Sequence, residues 1–394
     1  MIAQVRCTVI LMNRKRNNFL LFSLLGVLTV LLVLFVLLFC LLLGKEIQSR
    51  EQQTQTDSIE KIPDEEPLQE EGKQTLPSDE QTEEEQTENY LPPSYEFDTS
   101  SDEVSVKIPG LSRSYRIAWI SDLHMITDLE PADDVFEEHI ETLKNRHDLM
   151  FVTQDGIPSE ELWPQIISYL LYYDFDGIVF GGDILDYCSK SNLETFLEGY
   201  NRLLQKYEKD KILYVRADHD YGSWYGGEVQ TEWRAHELHA FEIDGREVYD
   251  PLDEYDRILD FGEFAIIGVD GSTKNMSGDQ LEVIANRFAE NKPVVIATHV
   301  PYEPRLELDR AQLAELSMQV RGKIYYWSED SEHYAPLGRT LDYYNYLYAE
   351  DSPVKQVLSG HLHHVWDGML TEQLPEHIFT PAYLGAIGII EVTP

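Results

Sequence analysis

The stretch Ile178-Val179-Phe180-Gly181-Gly182-Asp183-Ile184-Leu185-Asp186 decides the fold. Its first three residues, β-branched or aromatic, predict a buried strand; the glycine pair lets the backbone turn sharply, and Asp183 arrives where the strand stops. A carboxylate in that place can bridge two metal ions. Four further segments repeat the arrangement, each an apolar run closed by Asp or His: Ile117 to His124, Ile212 to Asp220, Val294 to His299 and Val357 to His363. Their side chains are expected to meet along one edge of a sheet.

Outward from that stretch, strand and helix patterns alternate from Val104 to the end. Strands are expected at 104–108, 115–120, 177–180, 212–215, 257–259, 264–269, 293–297 and 389–392. Helices are expected at 132–145, 159–172, 192–206, 280–289 and 341–348. Residues 221–256 lack a period and read as a long insertion beside the site. The class is α/β, with no internal repeat.

The ligand chemistry lies in the spacings. Asp122-Leu123-His124 and His361-Leu362-His363 each separate two ligands by two residues, so in extended chain both would point the same way. Asp218-His219-Asp220 ends another strand, and His299 follows the strand at 293–297. A mixed set of imidazoles and carboxylates suits manganese, iron or zinc better than magnesium or calcium, which favour oxygen alone.

Taken in order, these blocks resemble the calcineurin-like metallophosphoesterases: Asp-x-His, Gly-Asp-x-x-Asp, a Gly-Asn-His-Asp/Glu block, a lone His, then Gly-His-x-His. The resemblance covers about residues 104–394 and implies a layered α/β/β/α sandwich. It implies that Asp122, His124, Asp183 and His363 hold one metal ion, while Asp183, Asp218, His299 and His361 hold the second. It further implies His219 as general acid and Asp186 as the carboxylate that orients it. Where the family has Gly-Asn, this chain has Ala217-Asp218, and the added negative charge is expected to damp the Lewis acidity of its metal. The expected activity is hydrolysis of phosphomonoesters or phosphodiesters by a metal-bridging hydroxide. A catalytically weak descendant serving as a binding or scaffolding protein is the competing reading, and the joint retention of His219, Asp186 and seven metal positions speaks against it.

Away from the blocks, single residues carry weaker signals. His364 is left out of the ligand set because it falls on the opposite side of an extended segment. Trp224, Tyr225 and the aromatic region from Tyr325 to Tyr348 are candidates for a substrate rim, against the ordinary reading as packing. Arg216 and Arg305 are candidates for phosphate contacts.

Composition divides the rest of the chain. Residues 1–44 carry four bases and no acid, with Arg14, Lys15 and Arg16 just before an uncharged run from Phe19 to Leu43. That run, as a helix of about 37 Å against a hydrocarbon core of about 30 Å, is expected to span a membrane at 19–43 as a signal anchor. Bases before it and acids after it place the basic segment 1–18 in the cytoplasm and the remainder outside, at the cell membrane. Residues 44–103 hold 19 acids against four bases and little apolar periodicity, and are expected to form a disordered linker. The domain at 104–394 has 52 acids against 23 bases, a field that repels phosphate backbones and disfavours nucleic acid as partner. Small or surface-presented phosphoesters remain. Of three cysteines, Cys188 alone lies in that domain, so no disulfide braces it.

Overall fold

The computed structural model describes residues 90–127, 139–187, 189–221, 242–243, 246–247, 258–271 and 274–394, all within the unit Gln86–Pro394. The expected membrane helix at 19–43, the linker as far as residue 89, Cys188, Trp224 and Tyr225 lie outside the described residues. Among those described, no helix is long and apolar enough to cross a membrane.

Two sheets form the centre. In the first, β1 (Glu103–Lys107) runs parallel to β13 (Gly388–Thr393), which is antiparallel to β2 (Tyr115–Ile120). Next to β2 come β3 (Gly177–Phe180) and β4 (Ile212–Tyr214), both parallel to it. Between β4 and the second sheet the chain forms a short hairpin, β5 (Glu242–Ile243) and β6 (Arg246–Glu247). The second sheet has the order β11 (Trp366–Met369), β12 (Pro375–Ile378), β10 (Val354–Ser359), β9 (Val294–Thr298), β8 (Ala265–Val269) and β7 (Ile258–Asp260), parallel from β12 to β8 with antiparallel strands at both ends.

Side chains alternate across each strand, which is why β3 is buried on both faces. Val179 joins Trp119, Leu213, Ile266, Val295 and Leu358 in the core between the sheets, where Trp119 stacks on Phe379 at 4.7 Å. Ile178 and Phe180 face outward, against Leu162 and Ile166 of α2 (Ser159–Tyr172) and Phe196 of α3 (Lys190–Leu203). Across the molecule, Ile267, Ile296 and Val357 pack on Ile284 of α5 (Gly278–Ala289) and Tyr343 of α7 (Arg339–Leu347). The order of layers is helix, sheet, sheet, helix. Short helices α1 (Ile140–Asn145) and α4 (Asp218–Tyr221) sit between β2 and α2 and after β4.

Two features differ from the sequence expectation. The folded unit takes in residues assigned to the linker: Phe97 is buried in the helix-side core, Asp98 pairs with the main chain at Gly385 and Ile387, and Asp102 accepts from Thr380. The acidic composition around them hid single anchors. A 15-residue helix, α6 (Glu307–Arg321), was not anticipated at all; it buries only Leu313 and Ser317, too few to make a helical stripe.

Candidate metal centre

The expected ligands converge, but from two sheets and not along the edge of one. β2, β3 and β4 deliver Asp122, His124, Asp183 and Asp218, and β9 and β10 deliver His299, His361 and His363. One group joins Asp183, Asp218, His299 and His361, and another joins Asp122, His124 and His363, with donor atoms in each within 4.8 Å of one another. A third brings His219 to His124 and Asp183 within the same limit. Asp183 Oδ2 lies 3.1 Å from His299 Nε2 of the first group and 3.6 Å from His124 Nε2 of the second, the position a bridge would take.

The ligand segments are not extended. Asp122, His124, Asp183, His361 and His363 all have positive φ, between 49° and 73°, and among the described residues only Asn291 joins them outside glycine. Residues pay for this conformation unless something enforces it, and such clusters mark functional sites. The alternation has a purpose: left-handed residues on either side let Leu123 and Leu362 plug into the core, both fully buried, while the flanking ligands turn to the centre. Glycines make room for this. Gly182 (φ +92°) could not carry a Cβ, which would fall 2.7 Å from His299 Nδ1, and one on Gly360 would strike the Asp122 carboxylate.

Hydrogen bonds fix the tautomers. His299 Nδ1 donates to the Gly181 carbonyl at 2.9 Å, which leaves the Nε2 lone pair directed at Asp183 Oδ2, 3.1 Å away, and His361 Nδ1, 3.2 Å away. His124 Nδ1 donates to Asp186 Oδ1 at 2.9 Å, so its Nε2 lone pair meets His363 Nε2 at 3.0 Å, and that nitrogen in turn lies 3.3 Å from Asp122 Oδ1. Asp218 Oδ1 is buried with no hydrogen-bond partner among the described residues. Nitrogens and carboxylate oxygens thus crowd one another with few hydrogens to share, an arrangement suited to cations between them. The charges agree. Against desolvation, the Asp183 and Asp122 carboxylates push His299 up to about 10, a measure of the negative charge gathered at the centre, which a cation would balance in place of that proton. The donor set fits two metal ions of the manganese, iron or zinc type.

His219 sits beside the centre, its ring 4.8 Å from that of His124. Its Nδ1 meets the main-chain carbonyl of Asp186 at 2.7 Å, whereas the Asp186 carboxylate is 3.5 Å away. Asp186 thus orients His219 through its main-chain carbonyl, while its fully buried carboxylate, 3.5 Å from the ring nitrogen, hydrogen-bonds Arg146 with both oxygens and also His124. Burial would raise the Asp186 pKa, but the Arg146 guanidinium outweighs it and keeps the group ionised far below the usual range. Despite desolvation, Asp183 and Asp186 raise the pKa of His219.

Other contributors carry no local sequence signal. Phe151 stacks on His124 with centroids 4.1 Å apart and Arg146 lies over its far side at 4.7 Å. The Tyr383 hydroxyl is 3.4 Å from His363 Nδ1, and Arg321, from the end of α6, donates to the His361 carbonyl at 2.6 Å. Asp220 accepts the amide protons of Asp183, Ile184, Leu185 and Ala217 and the Tyr214 hydroxyl, with burial and the Asp183 charge pushing it up to about 7. Position 220 stands in a block that the sequence singled out, yet only the fold reveals that it organises a loop. His364 is exposed and apart from the ligands. Arg305 lies over Tyr348 at 4.0 Å and Arg216 is buried. Of the aromatic region, Tyr326, Trp327 and Tyr343 are core, and Tyr325 and Tyr334 reach the centre, each against His361.

Comparison with known proteins places this geometry. The family model for calcineurin-like phosphoesterases matches residues 115–365, and the chain belongs to that family. No curated protein matches it in sequence. Similar solved structures include a dimetal phosphatase from Danio rerio (11% identity, 69% of this chain and 88% of that one, TM-score 0.33). A purple acid phosphatase from yellow lupin is also similar (13%, 71% and 46%, TM-score 0.37), as is a phosphopantetheinyl hydrolase from Mycobacterium tuberculosis (11%, 67% and 89%, TM-score 0.31). At such scores these likenesses add no weight to a substrate.

Proposed function

We propose that the chain is a dinuclear metal-dependent phosphoester hydrolase, tethered to the cell membrane by residues 19–43 with its domain facing outward, acting on small or surface-presented phosphomonoesters or phosphodiesters. The observation that carries the reading is the convergence of imidazole nitrogens and carboxylate oxygens at 3.0 to 3.6 Å from one another, with Asp183 Oδ2 between His299 of one group and His124 of the other. Bound there, the metals would lower the pKa of a shared water and neutralise phosphoryl oxygens.

The chain's own part is to hold and to protonate. Asp122, His124 and His363 would hold one ion together with Asp183, whose Oδ2 is 3.6 Å from His124 Nε2, and Asp183, Asp218, His299 and His361 would hold the other. Raised toward its cationic form, His219 keeps Nδ1–H on the Asp186 carbonyl and has Nε2–H left to give to a departing oxygen. Cations on Asp183 would cancel that residue's share of the field, leaving Asp186 to sustain the proton. Arg146 limits its effect.

Metal analysis of the purified protein, with turnover of a phosphomonoester and a phosphodiester sharing one leaving group, tests the chemistry. Two metals and hydrolysis of either ester are expected; absence of both would leave the scaffolding reading. Tethering is supported by the uncharged run 19–43 and the bases before it. Protease added to intact cells should release the domain, and full protection until lysis would overturn the outward orientation.

A further inference from the structure

Position 218 is where this chain departs from the Asn of the family pattern, and the residue opposite it accounts for the departure. Asp218 is grouped with Asp183, His299 and His361, and its Oδ1 is buried with no hydrogen-bond partner among the described residues. Oδ2 accepts the hydroxyl of Tyr334 at 3.1 Å. Tyr334 comes from 116 residues away, on the segment between α6 and α7, and is 4% exposed. Its placement is fixed at several points: the Tyr334 amide donates to Ser331 Oγ at 3.1 Å, and the ring stands edge-on to His361 and Tyr325 with centroids 5.0 and 5.1 Å away.

A carboxylate and an amide make different demands on that phenol. The carboxylate presents a second acceptor oxygen, which the phenol, protonated at neutral pH, satisfies as a donor. An amide whose oxygen faced the cation would turn its NH2 toward the phenol, which would then have to accept, and its own O–H would lose this partner. Hydrogen bonds to ionised acceptors are roughly twice as strong as neutral ones. Charge drawn toward the hydrogen-bonded oxygen is charge withheld from the oxygen that faces the centre.

We propose that Tyr334 is a positioning residue for the metal centre, its hydroxyl holding Asp218 Oδ1 toward the cation and drawing off enough charge for the Asp218–Tyr334 pair to stand in for a neutral amide ligand. This rests on the centre holding metals as proposed above. The pair is matched: the hydroxyl matters because position 218 is Asp.

The test is a double-mutant cycle on the full chain with Tyr334→Phe, Asp218→Asn and both together. Each protein is loaded with Co2+, and its visible spectrum, the inhibition constant of inorganic phosphate and the melting temperature without metal are recorded. In the parent protein Tyr334→Phe should weaken phosphate inhibition about tenfold and shift the Co2+ bands, the scale of a lost hydrogen bond to a charged group. In the Asp218→Asn background the same change should alter phosphate inhibition by less than about twofold, since the acceptor it served is gone. Melting without metal should fall by a few degrees in the parent and by less in the Asp218→Asn background, because the hydroxyl's bond to the carboxylate is already made without metal. Equal effects in both backgrounds, or none in the parent, would overturn the pairing. A parent protein that takes up no metal would overturn this inference together with the proposed function, and is seen without any substitution.

Discussion

Loops leaving the first sheet are stitched to one another through the main chain, whereas those leaving the second add to the main-chain bond from Gly360 N to the His299 carbonyl, 3.0 Å, a larger share of side-chain anchors. Asp122 N donates to the Gly182 carbonyl and His124 N to that of Asp183, each at 2.9 Å, and the Asp220 carboxylate collects four amides besides. On the second sheet, the His361 amide donates to the Asp122 carboxylate, Arg321 holds the His361 carbonyl, and Glu376 accepts from the Tyr302 amide at 3.2 Å and the Ser359 hydroxyl at 3.0 Å. The first half carries its own frame. The second leans on buried side chains, one of them Asp122, a ligand candidate itself, so the placing of His361 rests on the first half.

The strongest break in this comparison is at Asp183. Asp183→Asn should lose both ions together and turnover with them, while His363→Ala, which serves one group from the second sheet, should chiefly empty one site. Elemental analysis decides it, and two metals retained by Asp183→Asn would show that the centre does not hang on the first half. Next in size is His219→Ala, expected to cost on the order of a hundredfold with an alkyl ester and much less with a nitrophenyl ester, at unchanged metal content. Equal losses on both esters would move His219 from proton donor to phosphoryl contact.

Asp186 separates the sequence reading from the observed geometry. Because its carboxylate serves His124 and Arg146, Asp186→Asn should weaken metal binding by about tenfold or more, as outer partners of ligands do. If metal affinity held and only the alkyl ester slowed, the carboxylate would belong to His219 after all. Smallest is Glu376→Gln. Burial pushes Glu376 up to about 8, so the folded chain keeps a proton that the unfolded chain, with a carboxyl near about 4.3, gives up as pH rises. Folded protein binding more protons means stability falls with rising pH between those two values. Gln carries no such decline: melting should match the parent near pH 5 and exceed it by several degrees near pH 8.5, and a constant difference across that range would put the origin elsewhere.

The seven ligand positions were legible because each came with its strand, an apolar run such as Ile178 to Phe180 closing on the ligand. Their backbone was not. Asp-x-His reads as extended chain by its spacing, and only the burial of Leu123 between two left-handed residues shows why it cannot be. Arg146, Phe151, Arg321 and Tyr383 carry no signal in the sequence, and Tyr334 reads there only as a rim candidate, because each reaches the centre by tertiary approach, which leaves no local spacing. That Asp186 holds His219 by its main-chain carbonyl, with the carboxylate given mainly to His124 and Arg146, has no sequence signal for the same reason. The membrane run and most of the linker are sequence readings still, supported by charge and hydropathy alone.

Five ligands in left-handed backbone have a consequence for the protein's lifetime. Each costs about 1–2 kcal/mol relative to ordinary helical backbone, a sum comparable with the whole net stability of many domains. Metal ions bind the folded form and offset that cost by mass action, so occupancy and survival become one variable. Under metal scarcity the domain would be inactive and also the first to be unfolded and cleared by proteases, and its abundance would report the supply of its own cofactor.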